Sequence, residues 1–161
     1  MMTKNKITKW SIAALIVLLS SSCSRDTIYH TFHTLPSEGW ERDSLLNFEF
    51  EIDSVSSQCG IDIDLNYNGE YPYSNLYLFI SISDTLKELF ADTINVQLAD
   101  KYGKWLGDGW GTTYQQRVEY KRDYNFEQEG LYRITIKQGM RDNPIGSIER
   151  VGLRINRKND N

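Results

Sequence analysis

IDIDLNYN, residues 61–68, decides the fold. Ile61, Ile63, Leu65 and Tyr67 alternate with Asp62, Asp64, Asn66 and Asn68. A strict period of two places the apolar set on one face of a β-strand and the polar set on the other. A helix would scatter both sets around its axis. LNFEFEI, residues 46–52, repeats the pattern, with Leu46, Phe48, Phe50 and Ile52 set against Asn47, Glu49 and Glu51. NLYLFISI, residues 75–82, is apolar on both faces and reads as a central strand. TINVQLA (93–99), YQQRVEY (114–120), LYRITIK (131–137) and ERVGLRI (149–155) supply further strands. Gly60, Asn68-Gly69, Gly130 and Asn143-Pro144 punctuate them as turn signals, with Asn68-Gly69 in the form of a hairpin turn. Asp84 to Ala91 has room for one short helical turn. Seven or eight short, mostly antiparallel strands with little helix predict an all-β protein, a single β-sandwich of jelly-roll-like or immunoglobulin-like type.

The N-terminus is of a different kind. Lys4, Lys6 and Lys9 precede an apolar run from Ile12 to Leu19. A helical bilayer span needs roughly 20 apolar residues, so this run reads as a secretory signal and not an anchor. Ser20-Ser21-Ser22-Cys23 then has the form of a lipobox, with Ser20 where a large aliphatic residue is usual. The expected division is a lipoprotein signal peptide over 1–22, a lipidated Cys23 and tether over 23–34, and the sandwich over 35–161. Ser24 follows the cysteine where an Asp would signal inner-membrane retention, so the expected location is the outer membrane. Periplasmic and surface-facing orientations stay open. Cys59 is the one other cysteine and reads as a small buried side chain.

Charge excludes one function class. Removing residues 1–22 leaves 15 bases against 22 acids, a net charge of −7. Nucleic-acid binding requires the opposite field. The charge is also uneven along the chain. Residues 38–100 hold 13 acids and two bases, while residues 101–158 hold 12 bases and seven acids. Either interleaved strands neutralise each other, or the fold carries an acidic face that meets a basic partner.

No catalytic set stands out. There is no G-x-S-x-G elbow, and both histidines fall in one short N-terminal stretch. His30-x-x-His33 has a metal-like spacing, but on a strand residues three apart point to opposite faces. Asp64-x-Asn66-x-Asn68-Gly69 matches half of a calcium loop, whose twelfth position is Asn75 instead of a bidentate Glu. The polar face of a strand accounts for the same residues. No cofactor and no metal are expected, and the chain reads as a non-enzyme.

GKWLGDGWG, residues 103–111, is the densest local motif. A phosphate cradle follows a strand and opens a helix, whereas YQQRVEY follows here. Two readings remain. The glycines form a tight loop at the open end of the sandwich, covered by the tryptophans. Alternatively Tyr71, Tyr73, Trp105 and Trp110 form an aromatic end-surface that contacts a glycan or a protein.

Three segments carry a family resemblance. They are Tyr71-Pro72-Tyr73-Ser74-Asn75-Leu76-Tyr77-Leu78; then Leu98-Ala99-Asp100, Gly103, Trp105-Leu106-Gly107 and Gly109; then Gln138, Met140-Arg141, Ile148 and Val151-Gly152-Leu153-Arg154. In this order they resemble the GldH family of gliding-motility lipoproteins, from about Trp40 to Ile155. The resemblance implies an outer-membrane lipoprotein associated with the gliding machinery and with type IX secretion. It implies the membrane, through the lipid on Cys23, and other envelope lipoproteins of that machinery as partners, and it brings no catalytic motif. A glycan-binding surface lipoprotein is the alternative.

Overall fold

The computed structural model describes residues 27–55, 58–84 and 87–158, with Trp110 described by its backbone alone. Nine strands form: β1 (Thr27–Thr34), β2 (Leu46–Ile52), β3 (Cys59–Asn68), β4 (Asn75–Asp84), β5 (Glu88–Gln97), β6 (Asp108–Trp110), β7 (Thr113–Tyr124), β8 (Gly130–Gln138) and β9 (Ile148–Arg157). There is no helix among the described residues. The strands assemble into two antiparallel sheets, β1-β9-β3-β7-β6 and β2-β8-β4-β5. Pairing is nested: β1 with β9, β2 with β8, β3 with β7, β4 with β5. The chain is thus one long hairpin, closed at β4–β5 and wrapped into two layers. That is the jelly-roll order, and it settles the choice against an immunoglobulin-like arrangement.

The period of two drives the layering. Ile61, Ile63, Leu65 and Tyr67 of β3 are wholly buried, facing a second layer built from Leu76, Leu78, Ile134 and Ile136. Removing these faces from water is the main stabilising contribution. β4 is central, as its two-sided apolar pattern predicts, with Tyr77 and Phe79 on its outer face. β1 and β2 close one side of the sandwich: the His33 ring packs edge-on against Phe48, and its Nε2 lies 2.9 Å from the Asn47 carbonyl oxygen. Lys121 meets Asp92 at 3.3 Å across the other side.

Four expectations are corrected. Residues 27–34 are not tether: β1 pairs with β9 from Thr27 to Thr34, so these residues belong to the sandwich. The residues Asp84 to Ala91 contain no helical turn among those described, because β5 is already extended from Glu88. Asn68-Gly69 does turn the chain, with Tyr71 N–H donating to the Asn68 carbonyl (3.2 Å), but it is not a hairpin. It passes β3 to β4 in the opposite sheet. The outer face of β3 is not fully wet either, since Asp64 is only 7% exposed.

The charge asymmetry resolves through pairing. Acidic β3 lies between β7 and β9, where Arg117 reaches Asp64 at 2.8 Å, and Glu49 of β2 meets Arg133 of β8 at 2.6 Å. Interleaving, and not an acidic face, is the outcome.

Candidate functional site

The antiparallel order sends four long connections to one end of the sandwich: residues 35–45, 69–74, 98–107 and 139–147. The β6–β7 turn joins them there, with Gly111 at φ 63° in the first central position of a two-residue hairpin loop. Thr27, where the chain enters β1, lies at the other end. The three segments singled out in the sequence thus converge, although 60 and more residues separate the first from the third.

Hydrogen bonds sew these connections together. Leu98 and Ala99 N–H both donate to the Ser74 carbonyl, at 2.8 and 3.0 Å, and Leu106 N–H donates to Leu98 (2.8 Å). Asp100 Oδ1 accepts from Tyr102 N–H (2.8 Å) and Lys104 N–H (2.9 Å), which closes the tight loop before Trp105. Gln138 is wholly buried, and its Oε1 accepts from Met140 N–H (2.7 Å) while its amide reaches the Asp142 carbonyl (3.2 Å). The Arg42 guanidinium crosses from the first connection to the Met140 and Arg141 carbonyls.

Tyr67 is the central peg. Its hydroxyl accepts from Gly107 N–H (3.1 Å) and faces the Leu98 carbonyl (3.1 Å) and Gln116 Oε1 (3.2 Å). Gly107 must be glycine for this approach. A Cβ there would sit 2.8 Å from the Gln115 carbonyl oxygen and 2.9 Å from the Tyr67 hydroxyl. Burial pushes the Tyr67 phenol above its ordinary range.

The predicted aromatic residues divide by burial. Trp105 packs among Tyr67, Tyr71 and Tyr114, with ring centroids at 5.3, 6.5 and 5.7 Å. Tyr71 is 4% exposed, and its hydroxyl donates to the Asn75 carbonyl (3.0 Å). Burial, and then Tyr73 and Asp142, raise its pKa. Tyr71 therefore belongs to the packed end, and Trp105 is half-buried against it. Tyr73 lies nearer the surface and donates to Asp142 Oδ2 at 2.5 Å, a bond that raises its own pKa. Trp110 sits in β6 opposite Thr113, and its side chain lies outside the described residues, as does Cys23. Among the described residues, the exposed apolar groups of these connections are Leu45 (54%), Tyr102 (82%) and Leu106 (51%), of which sequence reasoning named only Leu106, as part of the family resemblance. Their signal was weak, because surface exposure in a loop follows from which neighbours cover it.

A second cluster was also missed. On the outer face of the five-stranded sheet, Asp64 is held by His30 Nε2 (3.0 Å) and Arg117 Nε (2.8 Å), with Arg154 Nε at 3.8 Å. His30 was read as part of a tether. His33, its spacing partner, faces Phe48 instead, as strand alternation requires. Asp64, Asn66 and Asn68 run along this extended strand, a geometry that cannot wrap a calcium ion.

A sequence model described as GldH lipoprotein matches residues 27–155. A protein named gliding motility lipoprotein GldH homolog, from Christiangramia forsetii, is 32% identical over 154 residues, covering 90% of this chain and 92% of its own length. Gliding motility lipoprotein GldH from Flavobacterium johnsoniae is 26% identical over 160 residues, covering 95% of this chain and 99% of its own.

Proposed function

We propose a role that proceeds from one premise, that the chain belongs to the GldH lipoprotein family. It is a non-enzymatic accessory component of a gliding-motility envelope complex. It is held by lipid on Cys23 at the outer membrane and associated with type IX secretion. The observation that carries this reading is the sewn loop end. Four connections form one hydrogen-bonded surface, and it lies opposite the point where the chain enters the fold. Cys23 stands four positions before Thr27, a reach of at most about 14 Å when extended. β1 then runs eight residues toward the loop end, which is roughly 26 Å at strand rise. A lipid at Cys23 would hold the entry end near the bilayer and turn Tyr102 and Leu106 away from it. Aromatic and aliphatic groups presented on a rigid surface are what protein contacts use.

Photo-crosslinking in native membranes tests this. A crosslinking residue at Tyr102 or Leu106 is expected to capture another envelope lipoprotein reproducibly. The same group at Leu131, on the four-stranded sheet, is expected to capture little. No reproducible partner at the loop end would count against the reading. Polysaccharide binding by the full chain, lost on Trp105→Ala with the fold intact, would favour the glycan-binding alternative. The anchor has its own check: Cys23→Ala should leave the outer-membrane fraction, and unchanged partitioning would remove the lipid from the account.

A further inference from the structure

The loop end leaves unused a cleft of about 410 Å³ on the outer face of the five-stranded sheet. Its floor is the Asp64 cluster. His30 sits between two partners, with Arg154 Nη2 3.0 Å from its Nδ1 and Asp64 Oδ2 3.0 Å from its Nε2. If Nδ1 accepts from the guanidinium, Nε2–H donates to the carboxylate; the tautomer follows from the partners. Arg117 Nε takes the other oxygen, Oδ1. Both Asp64 oxygens are therefore engaged, Oδ2 by His30 and Oδ1 by Arg117, with Arg154 Nε at 3.8 Å adding charge but no hydrogen bond.

The donors around it are not spent. Arg154 Nε is buried and has no hydrogen-bond partner among the described residues, lying too far from Asp64 to donate. Arg117 uses only Nε on Asp64 among the described residues, and its side chain is half exposed. A buried unmet N–H is costly, and a guanidinium fork matches a carboxylate bidentately. Beside the arginines, Asn66 and Gln115 stand opposite each other on β3 and β7. Neither carboxamide makes a side-chain hydrogen bond among the described residues. Such groups pair in both senses with a main-chain amide. Phe32, the aromatic of the cleft, is already engaged: it lies on Gly152, with the Arg150 guanidinium 4.4 Å from its centroid and the His30 ring at 4.9 Å. It does not stand bare for a sugar ring to stack on. Asp108 also lines the cleft and has no ion-pair partner among the described residues.

We propose that this cleft binds a carboxylate of a partner polypeptide, an acidic side chain or a C-terminus, through Arg117 and Arg154, with Asn66 and Gln115 reading the adjoining backbone. Asp64 and His30 hold the two guanidiniums in place for it. This site is separate from the loop end, and either can fail without the other.

The test uses the full chain in detergent and a fluorescent hexaglutamate peptide at low ionic strength, read by anisotropy. Saturable binding is expected, weakened about tenfold or more by Arg117→Gln. Arg154→Gln should do the same where its far-ultraviolet circular dichroism matches the parent. Arg133→Gln, which removes an exposed arginine from the other sheet, should leave binding unchanged. No saturable binding, equal affinity in Arg117→Gln, or equal loss in Arg133→Gln would overturn the proposal. Binding of polygalacturonate with none of the peptide would overturn it in favour of an acidic glycan.

Discussion

Tyr67→Phe removes one oxygen from the centre of the loop end. The ring is wholly buried and stacks against Tyr114 at 5.7 Å, so the phenylalanine keeps its packing. What changes is the hydrogen bonding. Gly107 N–H loses its acceptor, and the hydroxyl's own donation to Leu98 or Gln116 is gone. Leu98 keeps a donor, because Leu106 N–H still reaches its carbonyl at 2.8 Å. Two lost bonds at about 1 kcal/mol each are partly offset by the hydroxyl no longer needing desolvation. The orphaned N–H adds about 1 kcal/mol more, so the net cost is about 2 kcal/mol. For a domain of this size that corresponds to a fall in Tm of roughly 8 °C. Thermal melting of the full chain in detergent, followed by circular dichroism, reads it. Tyr114→Phe is the control, since its hydroxyl has no hydrogen-bond partner among the described residues and should move Tm by less than about 1 °C. A Tyr67→Phe shift no larger than that of the control would refute the view that this hydroxyl pins the 98–107 connection to β3.

Other outcomes follow from the same geometry. Gly107→Ala forces a Cβ against the Gln115 carbonyl and the Tyr67 hydroxyl, and should cost about 1–3 kcal/mol. Combined with Tyr67→Phe it should cost less than the sum, because the two share a contact, and additive losses would argue against that coupling. Cys59 is 3% exposed and burial pushes its thiol pKa up, against a smaller opposing effect of Arg157. It should therefore resist alkylation at mildly alkaline pH until denaturant is added, and rapid native labelling would contradict the burial. The phenols of Tyr67, Tyr120 and Tyr124 are all raised, chiefly by burial. Above pH about 10 the unfolded chain sheds these protons first, so the folded state binds more of them and stability falls as pH rises. Urea midpoints that stay flat from neutral pH to beyond 11, about one unit past that point, would contradict it.

Much of the layer structure was legible in the chain itself. A period of two needs only near neighbours, so Ile61, Ile63, Leu65 and Tyr67 declared an inner face before any partner was known. The same local pattern marked β2, β4, β5, β7, β8 and β9, whereas β6 lies in the stretch read as a tight loop. β1 was misread because TIYHTFHT has no clean alternation: its edge position beside β9 leaves both faces half-covered. The loop-end aromatics were identified as a group, but not their burial. A surface platform and a covered loop were both open readings; Tyr71 is buried, and Trp105 packs against Tyr67, Tyr71 and Tyr114.

What the sequence alone determined is seven of the nine strands, the buried and exposed faces of those that alternate, and the kinship carried by three short segments. These depend on side-chain order over a few residues. Only the tertiary structure decided which strands pair, and pairing fixed everything non-local. It set β1 against β9 and β3 between β7 and β9. That placed His30, Asp64, Arg117 and Arg154 together from four strands, with up to 124 residues between members. A contact across that separation depends on the closure of the whole hairpin, and no local pattern encodes it.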